Sequence, residues 1–550
     1  MHKNCLRLAL IVLAVAIRPA PVHGADEPTT APATAPSVSP GWIKLIDQSL
    51  SDLVDGSDDE KQLAEDRLLN APGEAVPLIE QGLKRPGMDA ESRQRVVRVL
   101  NQLRQVAKIA AEEEARHQQE FVWNQDTMLK AYDRCGSHDP KWDDLARQAI
   151  RQFTSRKSDE RDAGFAALEH ITSDLHCHDP LMYYLDARDL LEASEHATDP
   201  AKKAKWFNDG VETTMAAADR MDKSDYPADR KCLALARAAT VVMSCGAQND
   251  PKLKADAEKW ADDSLALLTA AVKVPGEPER FLTDIADLIL TAQIKFGADR
   301  GLTVDKLYAA LDGAFPNRAA WLVFKGHQYM LWAWDARGMG YANTVTPQGW
   351  RLMAQRLDLA EAALTKAYEL DPSNPAAAVE MLAVVMGQNK ARDVMEQWFQ
   401  RAITADPDSL AACQAKLLYL EPKWHGSAEE MLAFGRQCLA TRNWRGGIAN
   451  MLIIAHMQLA SYASNKEAYW HDPKVWDDIS AVAARCVELH PENTYHRSVY
   501  AYWAWKCGRW DIANYQFKQL GDKVDLAVFG NNPAELARAK AESVANASVK

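Results

Sequence analysis

The chain has 550 residues, with 64 Lys and Arg against 76 Asp and Glu and a net charge of −12. It offers no basic surplus to displace counterions from a phosphate backbone, so no nucleic-acid partner is expected. The length exceeds what one compact core fills, and Gly is scarce at 26 residues, which favours several helical domains or a long solenoid over a loop-rich enzyme.

At the N-terminus, Lys3 and Arg7 lead into the apolar run Leu8 to Ile17, and Val22 and Gly24 supply the small residues of a cleavage site. Such a run suits a signal-peptide core and falls short of the ~20 apolar residues of a spanning helix. Residues 1–24 are therefore read as a signal peptide. The chain is expected to be exported, periplasmic or secreted, with no transmembrane segment once mature. Residues 25–40, ADEPTTAPATAPSVSP, have little to bury and read as an extended linker. The cysteines that remain are dispersed, with no C-x-x-C pair, and most are read as small core residues.

Residues 41–105 form the next segment. From Lys61 to Arg104 the pattern gives three amphipathic helices, broken at Ala71-Pro72-Gly73 and Arg85-Pro86-Gly87, with Val76, Ile79 and Leu83 on one apolar face. This stretch resembles a HEAT-type helix pair. A long charged helix is expected from Val106 to Arg134. Through the remainder of 106–315, helical segments alternate with breakers such as His178-Asp179-Pro180 and Asp199-Pro200, consistent with divergent helix pairs of unassigned phase.

Residues 316–521 carry a clearer rhythm. Counting back from Pro372 gives Ala360, Leu364 and Ala367, and counting back from Pro407 gives Met395, Phe399 and Ala402. The last unit places Gly508 at a turn and then Ala513, Phe517 and Leu520 at the same offsets. This pattern resembles tetratricopeptide repeats, which implies antiparallel helix pairs stacked into a superhelix. Five units follow, at 318–374, 375–409, 410–441, 442–493 and 494–521, with insertions after Trp334 and after Ala460, and a helical tail at 522–550. The fold class expected is all-α, a helix-pair solenoid. The segments YLEPKWHGSAEEMLAFGRQC and AWDARGMGYANTVT are also similar to a family of uncharacterised bacterial domains with a Pro-Lys/Arg-Trp-x-Gly-Ser loop. That resemblance spans about Arg318 to Ser461 and implies a fold without an activity.

No H-E-x-x-H, Gly-Lys-Ser/Thr phosphate loop or G-x-S-x-G elbow occurs. GMGYAN, from Gly338, follows a helix and not a strand, which argues against a dinucleotide turn. His170, His176, Cys177 and His178 are zinc-competent side chains, yet they fall where a helix should end and His is favoured there by the macrodipole. No metal and no cofactor is expected. Cys413 and Cys438 stand at similar distances from the turn at Trp424, which makes a disulfide geometrically feasible.

The irregular sequence gathers in the turns joining first to second helices, and a solenoid lays those turns along one edge. They hold Arg337, Tyr341 and Asn343; Lys423, Trp424 and His425; and Tyr469, Trp470 and His471. Rings with nearby cations and amides give rigid contact area and hydrogen bonds. These nine residues form the expected binding edge, with Trp424 and Trp470 alternatively filling gaps behind long loops. The expected role is a scaffold binding a protein or peptide partner without catalysis; the alternative is an enzyme or carbohydrate-binding protein using that edge.

Overall fold

The computed structural model describes residues 38–547, apart from 156, 198, 246–249, 274–277 and 339. The signal peptide and all but the end of the linker lie outside the described residues. Every regular element among the described residues is helical, and none of these helices is long and apolar enough to cross a membrane. The chain divides into two compact units: residues 1–111 with 373–550, and residues 112–372.

The first unit begins with α1 (Pro40–Asp55), α2 (Asp58–Leu69) and the short α3 (Val76–Gly82). Ser57 and Glu60 form a reciprocal capping box at the start of α2, which satisfies two otherwise orphaned backbone donors. The breaks expected at the two Pro-Gly sites are present: Gly73–Ala75 is a 3-10 turn, and Gly87 adopts φ +83. The third amphipathic helix and the long charged helix are one element, α4 (Ala90–Cys135). Its sequence contains no Gly or Pro to interrupt the hydrogen-bond ladder. Between Leu103 and Met128 no described residue of α4 is buried, and the Ala, Glu, Gln, Lys and Arg that fill this stretch hold a helix without tertiary packing.

The second unit continues α4 and stacks α5 (Asp143–Phe153) with α6 (Ser158–Glu169), α7 (Pro180–His196) with α8 (Pro200–Asp222), and α9 (Ala228–Ser244) with α10 (Pro251–Ala271). It ends with α11 (Glu279–Lys295) and α12 (Arg300–Ala314), then α13 (Ala319–Arg337) and α14 (Pro347–Leu370). The Asp-Pro pairs that read as breakers are helix starts. Asp179, Asp199 and Asp250 each accept two backbone N–H bonds from the first turn, with Pro at N1 or N2; that position needs no N–H and matches the fixed φ of proline.

Back in the first unit come α15 (Pro375–Gly387) with α16 (Arg392–Ala405), and α17 (Leu410–Tyr419) with α18 (Ala428–Ala440). These are followed by α19 (Met451–Tyr462), the inserted α20 (Lys466–Trp470), α21 (Pro473–Leu489), α22 (Thr494–Lys506), α23 (Trp510–Leu520) and α24 (Pro533–Asn546). These helices alternate with short turns along the stretch that carries the small-residue rhythm. Ala360, Ala402 and Ala513 have no exposed surface. On α18, a Cβ added at Gly435 would lie 2.8 Å from the Leu452 Cα of α19, so the backbones of successive helices touch where the small residue sits.

Within this unit the N-terminal helices dock on the C-terminal repeats. The core of α1–α4 is closed on residues between 38 and 103, and that of the last repeats on residues between 432 and 539. Polar and aromatic contacts join them. Arg442 donates to Asp66 Oδ1 at 2.6 and 2.8 Å and to the Gln62 carbonyl at 3.2 Å. Arg445 donates to the carbonyl of Ala71 at 2.7 Å and of Leu69 at 3.4 Å. The Arg67 Nε–H reaches the Glu488 carbonyl at 3.1 Å, and the ring of Trp42 meets His490 edge-on at 6.1 Å. Sequence order alone does not signal this association.

Candidate functional site

In the first unit, the turn between α17 and α18 carries Lys423, Trp424 and His425. Glu421, only 3% exposed, anchors it: the Lys423 ammonium lies 2.7 Å from Glu421 Oε2, and the Tyr462 hydroxyl donates to the same oxygen. The Trp424 backbone N–H bonds the Glu421 carbonyl at 2.8 Å, and the indole is partly buried. His425 stacks on Tyr419 with centroids 4.5 Å apart, its Nε2 lying 3.1 Å from the Met386 carbonyl oxygen. The turn is thus fixed by its own contacts. Lys423 lies 5.9 Å from the centroid of the Tyr462 ring, so this turn adjoins the end of α19 and the start of the next turn segment, 463–472.

That segment contains α20. Trp470 is 9% exposed and belongs to the core, with the ring of Trp503 at 5.2 Å and that of Tyr469 at 5.4 Å. The Tyr469 hydroxyl lies 2.9 Å from His456 Nδ1, His456 Nε2 lies 3.0 Å from Asp478 Oδ2, and Arg436 holds Asp478 through two bonds of 2.7 and 3.0 Å. Burial pushes the His456 imidazole below its ordinary pKa against the opposing pull of Asp478. A neutral ring donating to Asp478 and accepting from Tyr469 satisfies every member of the chain. His471 is exposed and faces Gly508, a turn glycine at φ +67, with the Trp510 ring at 6.3 Å. Here Trp470 and Tyr469 anchor the insertion, while Lys423, His471 and Tyr462 face solvent. Sequence reading missed Glu421, Tyr462, His456 and Asp478. Only Tyr462, an aromatic at the mouth of an insertion, carried a signal.

In the second unit, the turn from α13 to α14 holds Arg337, Tyr341 and Asn343. Arg337 is 8% exposed and donates to the carbonyls of Gly338 and Gly340 at 3.1 and 2.9 Å, beneath the rings of Trp334 and Trp350. Its guanidinium thus bonds carbonyls of its own loop. Tyr341 is 75% exposed and Trp350 40%; Asn343 is also exposed, in the 3-10 turn Ala342–Thr344. A shallow groove of about 620 Å³ runs between α10 and α12 over Leu265, Leu268, Val272 and Ala310, with Lys273 and Lys306 at its rim.

The histidine cluster does not converge. His170 pairs with Asp174 at 2.8 Å in a π-helical turn; His176 and His178 are exposed, and Cys177 is fully buried. Among the described residues no group of three or more His, Cys, Asp or Glu could hold a metal ion. Asp179, fully buried, organises this corner, accepting from the Tyr226 hydroxyl at 3.0 Å and the Ser137 N–H at 2.9 Å. Cys413 and Cys438 are both buried, free thiols close enough to influence each other's protonation.

No protein-family model and no curated protein matches this sequence. Among solved structures, the human IFIT1 dimer with m7Gppp-AAAA is similar at 12% identity and TM-score 0.33, covering 93% of this chain and 96% of that one. The human IFIT1 dimer with PPP-AAAA follows at 11% identity and TM-score 0.30, with the same coverages of 93% and 96%. The exclusion of nucleic acid from net charge is corrected by these structures, which hold capped or triphosphate RNA; a charge balance alone does not decide the partner class. At such TM-scores the likeness says nothing of what this chain itself binds. Among the described residues the chain is a helical repeat protein of tetratricopeptide-like helix pairs.

Proposed function

We propose that this chain is an exported scaffold that binds a protein or peptide partner on the surface of its helical repeats and performs no chemistry of its own. The observation that carries the reading is that the C-terminal repeats already hold a helical polypeptide segment, the chain's own α1–α2, through arginine bonds to a carboxylate and to backbone carbonyls. Repeat stacks present extended surfaces suited to such ligands. Export to the periplasm or the exterior is supported by the charged and apolar pattern of residues 1–24. The exposed part of the turn edge, Lys423, Tyr462 and His471, is the surface on which a partner is sought.

The test is capture from an envelope extract by the mature chain and by a Lys423→Glu/Tyr462→Ala variant with an unchanged circular dichroism spectrum. A stoichiometric protein retained by the first and lost from the second is expected; retention of RNA in place of protein, or no difference between the two baits, overturns the reading. A second reading, carbohydrate binding, is favoured by the exposed rings of Tyr341 and Trp350 and predicts retention on a glycan resin.

A further inference from the structure

The contact that holds α1–α2 reads the end of a helix. Asp66 sits in the last turn of α2, 1% exposed, between Arg442 at 2.6 Å and Arg485 at 3.8 Å. Just beyond, Arg445 takes the carbonyls of Leu69 and Ala71, which α2 leaves without helical partners. Trp42 adds one ring against His490, which in turn stacks on His496 at 5.0 Å. Apart from the Trp42 ring, the contacts named here are polar, and the buried core of the N-terminal helices is built from residues between 46 and 103. Burial holds the Asp66 carboxyl above its ordinary range in spite of the two guanidinium groups. Polar contacts of this kind between parts of one chain resemble transient protein interfaces.

We infer that the surface formed by Arg442, Arg445 and Arg485 is a docking site for the C-terminal turn of an acidic helix on a partner protein, and that α1–α2 cover it until such a helix displaces them. The inference rests on the protein-binding reading above and gives it a partner chemistry: a carboxylate in the last helical turn, followed by free terminal carbonyls, with an aromatic ring alongside. Arginine suits both acceptors, since its planar fork matches a carboxylate and still spares donors for main-chain oxygens. A tethered cover competes at an effective concentration in the millimolar range, so a ligand in trans binds the intact chain poorly and a chain with a weakened cover well.

The experiment uses a fluorescently labelled peptide of residues 38–105, which carries the whole core of the N-terminal helices, and the full chain. Asp66→Lys in the chain sets an ammonium against Arg442 and Arg485 and frees the surface; this variant is expected to bind the peptide at least tenfold more tightly than the wild type. A peptide carrying the same Asp66→Lys change should bind at least tenfold more weakly, and adding Arg442→Glu to the chain should remove binding. Should Asp66→Lys alter the circular dichroism spectrum, Asp66→Asn replaces it, dropping the charge and keeping the shape. Equal binding of the two peptides, or no binding to a folded variant, overturns the inference. Partner capture through Lys423 and Tyr462 is scored separately, so its survival alongside a failed peptide assay removes this docking site and leaves the scaffold reading standing.

Discussion

Acid should loosen the first unit through His496. Its ring is pushed down to about 4, first by burial and then by neighbouring His490, while an unfolded histidine titrates near 6.5. Between those values the unfolded chain binds more protons than the folded one. The stability His496 carries is therefore complete above about pH 6.5 and is lost as pH falls towards 4. Linkage gives a loss of about 2.5 kcal/mol at pH 4.5 if the ring is fully shielded, and roughly 1 to 2 kcal/mol allowing for its residual solvent contact. His490 shifts in the same direction, through burial and then Arg445, and stands against Trp42 of the docked helix. Many other groups respond to acid as well, so the informative quantity is the difference between wild type and His496→Gln. Urea unfolding followed by tryptophan fluorescence at pH 7.5 and 4.5 measures it. The variant should lose about 1 to 2 kcal/mol less on acidification than the wild type; an equal loss in both proteins refutes the assignment.

In the second unit, Asp189 is pushed up to about 7, first by burial and then by Glu192. A raised carboxyl costs stability as pH climbs from about 4 to 7, so Asp189→Asn should stabilise that unit by roughly 1 to 3 kcal/mol at pH 8 and by almost nothing at pH 4, read from the same urea curves. Oxidation should join the adjacent thiols of Cys413 and Cys438 and stabilise the first unit by roughly 3 kcal/mol through loop closure. Non-reduced peptide mass spectrometry detects the bridge, and Cys413→Ser should abolish both effects. Trp470→Ala opens a core position between Trp503 and Tyr469 and should cost roughly 3 to 5 kcal/mol. Lys423→Ala leaves the buried Glu421 carboxylate with the Tyr462 hydroxyl and should cost less, about 1 to 2 kcal/mol; thermal melts of the two variants provide the comparison.

Much of this architecture is written locally. Asp179, Asp199 and Asp250 each precede a proline and cap a helix, because a carboxylate acceptor and a residue without an N–H both suit the first helical turn. Ala360, Gly435 and Ala513 mark where helices touch, since only small side chains admit the close approach. Those features act over one or two helical turns, so a single sequence displays them. The candidate edge was legible only as a set of turns. That Trp470 faces inwards, that Glu421 fixes Lys423, and that Tyr469 bonds His456 depend on groups brought together from separate helices. The return of α1–α2 to Arg442 and Arg445, some 375 positions away, leaves no local trace at all: an aspartate in a helix looks the same whether water or a distant arginine meets it. Sequence determined that the chain is helical and, in the C-terminal repeats, where small residues let helices touch; tertiary structure decided which side chains are left to meet a partner, because exposure is set by every other element that packs nearby.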